Sequence, residues 1–292
     1  MMRVSMPFES WASKTAMTFG TGVLLAASVT AAPHHVEKHF KVGAHPVVTI
    51  HNPDGIVTVK AWTRPEVKLV GDSQSDKVEI DAEQTGNRVD LNVRAMVDDI
   101  SPEELRANFD LFVPEDAELQ IHNDSGSVAV QDVTGDMALD TIAAGIALQD
   151  ASGYLSIRTV GGAVQCIRCA GRIEITSISG NVKLLDMRSY SVRAQTTRGD
   201  IVFDGAFLAN GTYRLTNYSG LIDVRLSPDD SFDLSATSVK GKVQNDANLT
   251  PAAPRKGPVS RFAQTLFSVY NQGKAKVELK SFDGTINIHR RE

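Results

Sequence analysis

Two cysteines in 292 residues are too few for a disulfide scaffold. Aromatic residues make up only 6%, which leaves few platforms for stacking on sugars or bases. There is no basic excess. The formal charge of −5 excludes the usual nucleic-acid binder, which meets phosphates with a basic stripe. No apolar run reaches the ~18–20 residues of a membrane-spanning helix. G-x-S-x-G, H-E-x-x-H and a Gly-rich loop between strand and helix are all missing, and with them the commonest hydrolase, zinc-protease and phosphate-binding signatures. What is present is 42% apolar and 22% charged residue, enough for a packed core in one large or two modest domains.

The first 31 residues read as a secretory signal peptide. Arg3 and Lys14 stand against the single acid Glu9, Ala16 to Thr30 is small and apolar, and Val29-Thr30-Ala31 precedes a polar stretch. Cleavage is expected after Ala31. The chain is therefore expected to be exported, to the periplasm or the cell surface, with no transmembrane span after cleavage.

Most of the information lies in a repeat. The pattern apolar-x-apolar-x-[Asn/Ser/Thr]-x-x-Gly-x-apolar-x-apolar recurs around Gly55, Gly126, Ala144, Gly162, Gly180, Gly199, Gly220, Gly241 and Gly284. Three residues before each turn stands Asn52, Asn123, Thr141, Thr159, Ser177, Thr196, Asn217, Ser238 or Ser281. The spacing is 18 from Gly126 to Gly180, then 19, 21 and 21, and the last interval is about two periods. Period-two alternation on both sides of the turn, as in Leu155/Ile157 and Val164/Cys166, means half-buried strands. Asn, Ser or Thr bonding nearby backbone, with Gly taking positive φ, would close the bend; where Ala144 replaces Gly, Gly145 is the expected substitute. A second turn nine residues on, at Gly135, Gly153 and Gly171, divides each coil into two short strands. Hairpins in a sandwich also suit nine-residue spacing, but identity recurs at 18. The predicted fold is all-β, a β-solenoid of ~18–21-residue coils, in which stacked Asn, Ser and Thr would form a side-chain ladder.

Residues 32–116 read as a less regular N-terminal β segment of the same solenoid, with a short helix starting at Ser101, and residues 117–292 as the repeat array. Residues 245–275 interrupt it: Pro251, Pro254 and Pro258 precede a stretch in which Phe262, Leu266, Phe267 and Tyr270 fall on one helical face, so a loop and helix are expected there.

Three stretches, HNPDGIVTVKAWTRPEV, FDLFVPEDAELQIHNDSGSVAV and KVELKSFDGTINIHR, together with the repeated Ser/Thr-x-x-Gly-x-Val rhythm, resemble the bacterial putative-adhesin family of unknown function. This group of exported β-strand-repeat proteins is related to the head domain of putative autotransporter adhesins. The resemblance runs over roughly residues 36 to 290. It implies a right-handed, single-stranded β-helix-like solenoid and supplies no catalytic residues.

Residues with chemical potential are few. Cys166 and Cys169 form a C-x-x-C without the helix N-terminus that activates a redox thiol and without the second pair a zinc site needs; they read as small core residues, bridged or free. His34, His35 and His39 cluster near the mature N-terminus, a weak pattern for a metal, and no metal or cofactor is expected. His51 and His122 share an outward position. On one outward face Glu174, Arg193, Arg158 and Asp140 are expected to be neighbours, the only constellation from which a polysaccharide lyase or hydrolase would draw its acid and base. A solvated face with cross-strand ion pairs is the simpler account. The sequence thus reads as a non-catalytic envelope scaffold presenting a surface for adhesion or for an envelope protein or polysaccharide partner, with a β-helix lyase or hydrolase as the alternative.

Overall fold

The computed structural model describes residues 34–101, 104–253 and 263–291. The expected signal peptide, Phe262 and the proline-flanked part of the insertion beyond residue 253 lie outside them. The described elements are 21 strands, from His34–Lys41 to Thr285–Arg290, and among the described residues there is no helix.

The strands stack as coils in a solenoid-like array, each coil giving one strand to each of two parallel stacks. The first stack runs 88–92, 47–51, 118–123, 137–141, 155–159, 173–177, 192–196, 213–217, 277–281, 234–238. The second runs 109–114, 57–62, 128–131, 145–149, 164–167, 182–187, 201–205, 221–226, 285–290, 243–245. Parallel neighbours 18 residues apart exclude the hairpin sandwich. Inward rows from both stacks, such as Leu155, Ile157, Val164 and Cys166, are buried, so each coil covers the apolar faces of its neighbours.

Spatial order departs from chain order at both ends. The coil at 88–114 follows the coil at 47–62 in sequence but lies outside it. The last coil, 275–290, lies between the coil at 212–226 and that at 232–245. The long interval from Gly241 to Gly284 reflects this insertion. Three of the four outer edges, which would otherwise offer unpaired backbone, are met by antiparallel strands: Val78–Thr85 on Arg88–Ala95, Glu66–Ser73 on Ala107–Pro114, and Gln264–Tyr270 on Phe232–Ser238.

That last strand corrects the expected helix. Leu266 and Ser268 point inward, buried, while Val269 is exposed, which is strand alternation. The edge of Phe232–Ser238 supplies the hydrogen bonds that a helix would have made internally. At Ser101 a capping exchange with Glu104 forms (Glu104 N–H to Ser101 Oγ, 3.3 Å; Ser101 N–H to Glu104 Oε2, 3.1 Å), but it closes a single turn.

The turn chemistry also differs from expectation. Positive φ is confined, within the turn column, to Gly55, Gly126 and Gly220. At Gly162, Gly180, Gly199, Gly241 and Gly284 the reason for glycine is close approach: a Cβ on Gly180 would lie 2.0 Å from the Gly162 carbonyl oxygen. Gly145 has ordinary φ and an open surround, so it does not replace Gly at the Ala144 turn. The Asn/Ser/Thr column is buried and mostly bonds within its own turn, as Ser177 Oγ accepts from Gly180 N–H at 2.8 Å. Only Asn52 and Asn123 bond side chain to side chain, at 2.8 Å.

Candidate functional site

On the outward face of the first stack, register sets Ser156, Glu174, Arg193, Arg214, Glu278 and Ser235 in one row, Glu278 entering through the inserted coil. The adjoining row holds His51, His122, Asp140, Arg158, Thr176, Gln195 and Thr216. The expected neighbours are therefore on one face. Asp140 and Arg158 make an ion pair at 3.6 Å, and the partner of Arg214 is Glu278, at 2.5 Å. Glu174 is held from the other side: Arg172 donates to it at 2.6 Å and the Tyr154 hydroxyl at 2.9 Å. These two bonds hold its carboxyl below the usual carboxylate range. A general acid needs the opposite shift.

Arg172 and its flanking tyrosines were not singled out from the sequence. The Arg172 guanidinium lies 5.3 Å from the centre of the Tyr154 ring. Tyr154 and Tyr190 are 39% and 58% exposed, and together with Arg172, Asp136, Gly153 and Gly171 they line a hollow of about 610 Å³. Tyr190 owes its position to a bulge. Gly171 pairs with Ser189 and Arg172 with Ser191, leaving Tyr190 as the extra residue. The signal was in the spacing, since the interval from Gly180 to Gly199 is 19 where the preceding ones are 18.

Two other features emerge from columns. Two residues before the turn, Ile142, Val160, Ile178 and Tyr218 are all exposed, and Phe282 stacks on Tyr218 with ring centres 4.7 Å apart. On the outer face of the second stack Asp223 lies 3.0 Å from His289 and 3.6 Å from Arg225, and Asp204 pairs with Arg225 and Arg291. That network is balanced in charge and sits apart from the tyrosine hollow.

The remaining candidates do not converge. His35 meets Asp72 at 2.7 Å, while His39 meets Glu37 and Glu66 at 3.3 and 3.7 Å; the side chain of His34 lies outside the described residues. His51 and His122 are ring neighbours, centres 5.9 Å apart. Among the described residues no group of three or more His, Cys, Asp or Glu side chains is placed to hold a metal ion. Cys166 and Cys169 are free and buried. The hydrogen bond between them pushes the Cys166 thiol well up and the Cys169 thiol down, and both side chains are buried away from any exchange partner. Among the described residues no helix is long and apolar enough to cross a membrane.

Residues 48–289 match the family described as Toastrack DUF4097; this is well over half of the chain, and the chain belongs to that family. The adhesin-like resemblance read from the repeats agrees with it. No curated protein matches. A crystal structure of a "putative cell adhesion protein" from Clostridium sporogenes ATCC 15579 is similar over 89% of this chain and 100% of that one, at 13% identity and a TM-score of 0.27. A likeness that low has no bearing on the fold or the function.

Proposed function

We propose that this Toastrack DUF4097 protein is a non-catalytic, exported cell-envelope scaffold, a right-handed solenoid whose outward face binds a protein or glycan partner. The observation that carries the reading is Glu174. Arg172 and Tyr154 hydrogen-bond both of its oxygens, which commits the carboxylate to bonds within the face and shifts its pKa in the direction opposite to a general acid's. The same contacts fix an exposed tyrosine and arginine in place, which suits recognition, where ordering side chains in advance reduces the entropy cost of binding.

Export rests on the N-terminal pattern. N-terminal sequencing of the protein recovered from the periplasm or medium should begin at Ala32, and recovery only of chains starting at Met1 would count against it. The binding reading is tested by retention of the purified protein on cell-envelope fractions. Single changes Arg158→Ala and Arg193→Ala should give graded, roughly additive losses, since peripheral contacts each carry little. Abolition of retention by any one of them would contradict a spread surface.

A further inference from the structure

The charge on the outward face runs against that of the molecule. Over 137–141, 154–159, 170–177, 191–196, 212–217, 232–238 and 275–281, the strands carry Arg158, Arg172, Arg193, Arg214, Lys276 and Lys280 against Asp140, Glu174, Asp233 and Glu278, in a chain of net charge −5. All six cations are exposed. Such a strip concentrates anions, and arginine meets a carboxylate with a planar fork of donors.

The aromatic residues add a length. Tyr154 and Tyr190 belong to coils two steps apart, with Arg172 on the coil between. Two strand spacings are about 9.6 Å, which matches the two-residue repeat of an extended β-1,4-linked glycan. In such a chain successive rings are flipped, so every second ring presents the same face. One ring would stack at Tyr154 and the next but one at Tyr190. The intervening ring would lie over Arg172, whose Nε and one Nη hydrogen engage Glu174, leaving its other donors for a carboxylate.

Resting on the binding reading above, we propose that the hollow between Tyr154 and Tyr190 binds an acidic glycan, a β-1,4-linked chain of uronic acids lying along the stacking direction of the coils. Nucleic acid is disfavoured because its backbone repeat is longer than one strand spacing and shorter than two.

The test is calorimetric titration of the purified protein with a β-1,4-mannuronate hexamer, with the neutral β-1,4-glucose hexamer of the same linkage, and with an oligothymidylate of equal charge. The mannuronate should bind, more weakly as salt rises. Arg172→Ala and Tyr190→Ala should each weaken it about five- to tenfold, with unchanged far-UV circular dichroism. Equal binding of the glucose hexamer would overturn recognition of the carboxylate. Equal binding of oligothymidylate would reduce the face to a general polyanion binder and overturn the glycan assignment. No binding of mannuronate by a protein still retained on envelope fractions would sink the glycan and leave the scaffold standing. Loss of both would remove the two together.

Discussion

Single residues in this protein are fixed by how closely the coils approach. A Cβ on Gly180 would sit 2.0 Å from the Gly162 carbonyl oxygen and 2.8 Å from its carbon, whereas one on Gly145 would meet nothing nearer than 3.9 Å. Gly180→Ala should therefore cost about 1–3 kcal/mol, as overpacking does, and Gly145→Ala should be close to neutral; urea midpoints would show the contrast. Tyr213 sets a limit in alkali. Its hydroxyl donates to the Ser189 carbonyl at 2.7 Å and accepts from Leu208 N–H at 2.8 Å, and burial pushes its pKa from 10.0 up to about 12. The folded state holds this proton more tightly than the unfolded chain does. Its contribution is thus complete below pH 10 and is lost between pH 10 and about 12, with a slope of up to ~1.4 kcal/mol per pH unit. Tyr213→Phe should lower stability at pH 7 by about 1–3 kcal/mol, because it strands the Ser189 and Leu208 backbone groups. It should also flatten the fall of the urea midpoint expected between pH 10 and about 12. Much at this scale was legible beforehand. The glycine column and the buried Asn/Ser/Thr column both follow from the repeat, but the reason for glycine was only half right, since close approach and positive φ leave the same letter in the sequence.

Elements were legible where the period held and obscure where it broke. Alternation placed the strands from 118 to 226, because each inward row is apolar and each outward row polar. It failed at Gln264–Tyr270, where Leu266, Phe267 and Tyr270 fit a helical face as well as a strand, and where the buried inward Ser268 interrupts the apolar row. Coil order was hidden as well. A repeat tells which residues stack, but not which coil lies beside which, and only the long Gly241–Gly284 interval hinted at the insertion. The inserted coil carries a prediction. Strands Ala275–Ser281 and Thr285–Arg290 each pair on both sides, so the amides of Val277, Leu279, Ile286 and Ile288 should exchange only with global unfolding. Exchange as fast as that of the edge strand Gln264–Tyr270 would contradict the insertion.

For the molecule as a whole, the proposed binding is spread over a surface. The repeat supplied the face and four of its residues, Asp140, Arg158, Glu174 and Arg193. It could not supply Arg172 with Tyr154 and Tyr190, because a bulge carries Tyr190 out of the column in which it would have been noticed. Two of these, Arg172 and Tyr154, are the residues that engage Glu174. With Arg172 and Tyr154 bonded to it, the carboxyl is depressed and is matched to binding rather than to proton donation.

The central claim, that this face binds and does not cleave, is tested most directly by release of new reducing ends, or of unsaturated ends absorbing in the ultraviolet, from a panel of acidic and neutral polysaccharides. The purified protein and its Glu174→Ala variant would be assayed side by side. The account predicts no release by either. Turnover by the parent protein that falls about 10²- to 10⁴-fold in Glu174→Ala, the usual loss when a general acid or base is removed, would contradict it.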